Sequence, residues 1–325
     1  MIGILATLTL AALTGGAMQT DTTFAVKPGT RLEVNQFAGS IAVETWAKNA
    51  VRVVADHGSR VEIEIGGSGP SLSIQGVQMR GLPSTVDYQL TVPKWMALNL
   101  SGVNTEMSVE NSGGEIQIET VGGEVTVTGG SKTIQASSVD GAVHLVDATG
   151  RIECSSVNGA VEIERSSGPI VASSINGEIV LKSIDSDDVE GSTVNGTVSY
   201  DGAIKDGGSY RFSSHNGEVS IAIPERASAA VSVATYSGDF SSDFPVPLTE
   251  TRHGKRFSFT LGGGSARIEL ESFQGGIQLR RPGNPEGRSG VEYRYQEKTK
   301  EKTKDKTKET TKTKVKNSGD GEVEP

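Results

Sequence analysis

Apolar and polar residues alternate over short stretches through most of the chain, and from Ile116 onward these stretches come in pairs at a nearly fixed spacing. One series of apolar pairs is Ile116 and Ile118, Ile134 and Ala136, Ile152 and Cys154, and Ile170 and Ala172. The other is Val143 and Leu145, Val161 and Ile163, Ile179 and Leu181, Val198 and Tyr200, and Val219 and Ile221. A period of two puts both members of a pair on one face of a strand, so each repeat is predicted to hold two inward-facing strands.

An apolar-Asx-Gly tripeptide stands between the two strands of each repeat: Val139-Asp140-Gly141, Val157-Asn158-Gly159, Ile175-Asn176-Gly177 and Val194-Asn195-Gly196, with His215-Asn216-Gly217 as a variant. Its glycines are 18, 18, 19 and 21 residues apart, and degenerate copies extend the series to Gly123 and Gly238. Self-similarity at such a period is the mark of a solenoid, in which a coil buries its apolar residues only by stacking on the next. Asx-Gly is also a strong turn signal, because Gly, and more rarely Asn or Asp, accept positive φ. The spacing therefore predicts a structural turn ladder of Asp140, Gly141, Asn158, Gly159, Asn176, Gly177, Asn195, Gly196, Asn216 and Gly217.

Residues one coil apart should lie about 4.8 Å apart along the axis. Ile116, Ile134, Ile152 and Ile170 then form a core ladder, beside a narrower column in which Cys154 lies between Ala136 and Ala172. The pairs Ser137-Ser138, Ser155-Ser156, Ser173-Ser174 and Ser213-Ser214 precede the corners, where their hydroxyls can satisfy backbone groups. A left-handed hexapeptide helix would need an aliphatic residue every six positions from Val139, and Arg151 breaks that pattern.

Residues 21–100 alternate without the clean period and are expected to form wider or irregular coils that cap the solenoid. Phe273-Gln274-Gly275 reads as the last corner. Composition agrees with an all-β protein: 41 Gly and 11 Pro in 325 residues, with 5% aromatic content. The predicted fold is a single-chain β-solenoid of the β-helix or β-roll type, with coils of 18–21 residues, capping strands at the N-terminal end and a disordered C-terminal tail.

Three segments follow. Residues 1–20 are an uncharged apolar run with Gly15-Gly16-Ala17 as a small-x-small cleavage site, and are expected to be a signal peptide directing export to the periplasm, cell surface or medium. Residues 21–281 form the solenoid, and no transmembrane span is expected once the signal is removed. Residues 282–325 turn to Pro, Gly and charge. From Lys298 to Lys316 there are nine lysines and three acids in a chain whose net charge is −9, so a cationic spacer follows an acidic body. Its sharper reading is an electrostatic contact with anionic polymers or lipid headgroups; nucleic acid is not expected, since no aromatic or arginine interleaves with the lysines.

Candidate chemistry is sparse. Cys154, the only cysteine, falls in a core column and reads as a buried structural thiol. The histidines His57, His144, His215 and His253 are not paired at metal-ligand spacing. His144 should point to solvent, and His215 merely replaces an aliphatic corner residue. The acid cluster Asp185-Ser186-Asp187-Asp188-Val189-Glu190 lacks the spacing of known calcium loops and reads as a solvated loop. No catalytic residue, cofactor or metal site is expected.

Val86-Asp87-Tyr88-Gln89-Leu90-Thr91-Val92-Pro93, the Asx-Gly coils, and Gly262-Gly263-Gly264-Ser265-Ala266-Arg267-Ile268-Glu269-Leu270 follow one another in an order that resembles the bacterial putative-adhesin family over residues 30–281. The resemblance implies a non-catalytic, exported or envelope-associated β-solenoid and brings no catalytic residues. The expected function is adhesion or scaffolding, with an envelope or extracellular polymer or protein as partner. A polysaccharide lyase or hydrolase of the cell envelope and a self-assembling filament are the alternatives.

Overall fold

The strands Ile116–Thr120, Ile134–Ser138, Ile152–Ser156 and Ile170–Ser174 run parallel and in register, so Ile116, Ile134, Ile152 and Ile170 stack as hydrogen-bond neighbours. Ile118, Ala136, Cys154 and Ala172 form the column beside them. The computed structural model describes residues 9–12, 17–67, 70–78, 85–246, 255–283 and 291–293, and every helix or strand among them is a strand.

A second parallel sheet faces the first. It contains Val125–Thr128, Val143–Val146, Val161–Glu164, Ile179–Ile184, Val198–Gly202 and Val219–Ala222, with Val143, Val161, Ile179, Val198 and Val219 in one column. Single bridges from Thr149 to Ser167 and from Ser167 to Asp185 add a narrow third edge that the two-strand reading of the coil did not include.

Each coil sends about four side chains inward; in one of them Ile152, Cys154, Val161 and Ile163 are essentially inaccessible. Burial of such a side chain stabilises by about 1.5–3 kcal/mol. Ordering a backbone costs about 1–2 kcal/mol per residue, so a lone coil cannot fold and the neighbours on both sides are part of its stability. Where the coils widen, aromatic rings fill the interior. Tyr200 lies 5.0 Å from Phe212 and 6.0 Å from Tyr210, centroid to centroid, and Gly191 leaves the space that the Phe212 ring occupies. Tyr200 Oη donates to the Ala203 carbonyl and Tyr210 Oη to that of Ser186, so neither buried hydroxyl is orphaned.

The ends depart from the sequence reading. At the N-terminal end, Arg31–Trp46 is one continuous strand that contributes to both sheets. Its first half pairs in parallel with Ser71–Gln78 and Ala97–Glu110, its second half with Thr85–Pro93 and Ala97–Glu110. The remaining segments are the capping strands expected at this end, and they run antiparallel instead of forming wider coils. Val61–Gly66 closes the first sheet, while Ala50–Gly58, Ala17–Ala25 and Thr9–Ala12 extend the second. An antiparallel neighbour is reached by a short reversal, whereas a parallel one needs a whole coil, and ending the stack this way removes its open parallel edge. Residues 17–20 of the expected signal peptide thus belong to a strand paired with Ala50–Gly58.

Chain order and stacking order separate at the other end. Ala266–Ser272 lies between Ser209–Ser214 and Ala229–Thr235, and Ile277–Arg280 between Val219–Ala222 and Phe240–Ser242. The corner at Gly275 is therefore the penultimate one, and the corner at Gly238 is the last. Lys255–Leu261 causes the inversion by running back antiparallel along Ala229–Thr235. Gly262 and Gly264, both at positive φ, then turn the chain onto the inner side of that strand. Within the segment expected as a disordered tail, Val291–Tyr293 is a strand antiparallel to Phe240–Ser242. The Lys-Thr tract lies outside the described residues.

Candidate functional site

The Asx-Gly corners form one continuous edge. Asn158 Nδ2 donates to Asp140 Oδ1 at 2.6 Å, Asn176 to Asn158 at 2.7 Å, Asn195 to Asn176 at 2.7 Å and Asn216 to Asn195 at 2.6 Å. Just inside them runs a ladder of hydroxyls and glycines. Ser156 Oγ accepts the Gly159 N–H and donates to the Gly141 carbonyl one coil back, and Ser138, Ser174 and Ser214 repeat the pattern. Thr193, which the serine pairs did not signal, does the same for Gly196 and Gly177.

The role expected for these glycines needs correction. Gly141, Gly159, Gly177, Gly196 and Gly217 are not among the residues at positive φ. A Cβ on Gly159 would overlap the Gly141 carbonyl oxygen, and each of the others meets the glycine of the preceding coil in the same way. Close approach of stacked backbones selects glycine here, not turn conformation. Left-handed residues occur instead at another corner: Asn111, Gly129, Asp147, Arg165 and Ser183 all have positive φ and are 18 residues apart. Arg165 there binds the Asp147 carboxylate at 2.8 Å and Glu164 at 3.2 Å, and Lys182 reaches Glu164 at 3.3 Å.

The other candidates are dispersed. Cys154 is buried, and burial, with Glu153 adding, pushes its thiol up to about 12. His144 is on the outward face of its strand, as the alternation with Val143 and Leu145 predicts, and lies between Glu124 at 3.6 Å and Glu162 at 3.3 Å. His57 contacts Thr20, and His253 lies outside the described residues. The acid cluster is not simply a loop: Asp185 is bridged to Ser167 and pairs with Lys205 at 2.9 Å, and Asp188–Thr193 is a strand. Among the described residues no group of three or more His, Cys, Asp or Glu is placed to hold a metal ion. No helix among them is long and apolar enough to cross a membrane.

The apolar member of each corner tripeptide points outward. Val103, Val121, Val139, Ile175 and Val194 are exposed and, with the half-buried Val157 between Val139 and Ile175, follow one another coil by coil, and the line continues through His215, Phe273 and Tyr236. The last three are stacked rings: Phe273 lies 4.7 Å from His215 at 5° and 4.7 Å from Tyr236 at 6°. The spacing matches the coil repeat, so His215 is part of a ring column and not an incidental substitution. Beside the column lies a groove of about 530 Å3, also lined by Ser213, Ala234, Arg256 and Glu271. Arg256 contacts Glu271 at 3.4 Å.

The sequence model of one family, Toastrack DUF4097, matches residues 37–280, which contain this edge and nearly all of the coils. The chain belongs to that family. The match begins within the strand Arg31–Trp46 and ends with the strand Ile277–Arg280. Two solved structures are similar to the Toastrack chain. One, described as a putative adhesin from Parabacteroides merdae, is 9% identical with a TM-score of 0.44, covering 82% of this chain and 98% of that one. The other, described as a putative cell adhesion protein from Clostridium sporogenes, is 10% identical with a TM-score of 0.24, covering 81% and 99%. With scores this low the family assignment rests on the sequence match alone. No curated protein matches the chain.

Proposed function

We propose that this Toastrack protein is an exported, non-catalytic adhesion or envelope-scaffold module that contacts polymers or proteins along its outer edge. The observation that carries the reading is the apolar edge itself, which repeats one outward side chain per coil from Val103 to Tyr236 on a backbone rigidly paired on both sides. A line of exposed apolar residues backed by a satisfied hydrogen-bond ladder is suited to extended contact. Beside its ring column, Arg256 is paired with Glu271. The antiparallel strands at both ends of the stack speak against growth by coil-on-coil addition, which a filament requires.

Fractionation of cells producing tagged full-length protein tests export, and recovery in the cytoplasm would sink the adhesion reading with it. Binding of purified protein to envelope fragments, with and without residues 282–325, tests contact. Equal binding without those residues rejects an electrostatic role for the lysine tract. Release of reducing sugar from envelope polysaccharide would favour the enzyme.

A further inference from the structure

We infer that the groove between the His215–Phe273–Tyr236 ring column and the Glu271–Arg256 pair binds a neutral, pyranose-containing glycan, with the outer face of Tyr236 as its platform. The inference rests on the adhesion reading and gives it a ligand class. Tyr236 is 71% exposed, so the ring needs no uncovering before a ligand arrives. It is also held in place, because its other face lies 4.7 Å from Phe273 and nearly parallel to it. A ring fixed by stacking loses little freedom on binding. The ring face is the negative end of its quadrupole and attracts the weakly positive C–H face of a pyranose.

The polar side of the groove fits the same ligand. Glu271 and Arg256, 3.4 Å apart, place an acceptor next to a donor, the complement of two adjacent sugar hydroxyls. Their charges cancel locally and the whole chain carries a net −9, so an anionic polymer finds no counter-charge in the groove and a repulsive body around it. The inner hydroxyls are already committed: Ser214 and Ser272 donate to Gly196 and Gly217, and Thr235 accepts from Gly238. The flanking strands Ser209–Ser214, Ala266–Ser272 and Ala229–Thr235 each have a strand on both sides, so among the described residues a peptide could add as a strand only along the outer edge of Lys255–Leu261. At about 530 Å3 the groove is within the range of small-ligand sites.

The test is titration calorimetry of full-length protein with neutral cellohexaose and xylohexaose and with acidic polygalacturonate, beside binding to envelope fragments. The expected result is binding of a neutral oligosaccharide that Tyr236→Ala weakens about tenfold, that Tyr236→Phe retains because the ring face is kept, and that Glu271→Gln weakens several-fold, all with unchanged melting temperatures. The inference is overturned if Tyr236→Ala binds as tightly as the wild type, if polygalacturonate is preferred and that preference is lost in Tyr236→Ala, or if no neutral saccharide binds while the protein still adheres to envelope fragments. That last outcome leaves the adhesion reading standing; loss of adhesion by the wild type removes both. Self-association that saturates with protein concentration and disappears in Tyr236→Ala would also overturn it, in favour of a second copy as occupant.

Discussion

Asn158 donates its side-chain amide to the carboxylate of Asp140, one coil back, at 2.6 Å. A carboxylate only accepts, so Asp140 fixes the direction of every amide in the ladder above it, through Asn176 and Asn195 to Asn216. Asn176→Ala removes two of these bonds. The ladder is exposed, and water can replace the lost partners, so a cost of about 1 kcal/mol is expected by urea denaturation. A loss beyond about 3 kcal/mol would show that the ladder holds the coils together instead of trimming their edge.

Gly159 has no positive φ to accommodate, yet it should resist substitution. Gly159→Ala drives a Cβ into the Gly141 carbonyl oxygen, and backbone on both sides of the contact has no room to yield. The expected cost is about 3 kcal/mol, with local unfolding of the coil. Gly58→Ala is the control, because a Cβ there meets nothing within 4 Å. Equal melting temperatures for the two variants would refute close approach as the reason for the glycine.

The other corner should be sensitive to acid. The Asp147 carboxyl is held below its ordinary 3.8, first by the hydrogen bond from Arg165, with burial opposing and the Arg165 charge adding. A depressed folded pKa means the contribution is complete above 3.8 and is lost as pH falls through the folded value. Asp147→Asn is therefore expected to be slightly less stable than the wild type near neutral pH and to match it in strong acid. The pair is exposed, so the gap is small and narrows with salt. A gap that persists undiminished in acid contradicts this account.

Cys154 should behave as a hydrocarbon. With its thiol pushed up to about 12 by burial, it is expected to resist a disulfide reagent in the folded protein and to react only in denaturant. Cys154→Ala costs about 1 kcal/mol, since its register partners Ala136 and Ala172 already give the column an alanine-sized geometry. Rapid labelling under native conditions would place the thiol outside the core.

The regular coils were legible because their information is local. Two apolar positions per strand and one Asx-Gly per turn, repeated every 18–21 residues, are enough to assign Ile116, Ile134, Ile152 and Ile170 to one column. The left-handed column from Asn111 to Ser183 has the same 18-residue spacing, but Asn, Gly, Asp, Arg and Ser share no side-chain chemistry that would flag it. The ring column was hidden for another reason. His215, Phe273 and Tyr236 each stand at a corner, but their contact depends on the coil of Ala266–Arg280 being inserted between two earlier ones.

Sequence alone determined the coil, its inward faces and its position in the Toastrack span, because alternation and turn chemistry act over a few residues. Tertiary structure decided which coil lies against which, what the corner glycines are for, and where outward rings meet. Parallel strands of similar pattern can pair with one another almost interchangeably, and the choice among them falls to long-range closure. Here the return strand Lys255–Leu261 carries the chain back and sends Ala266–Ser272 inward, which brings Phe273 between His215 and Tyr236.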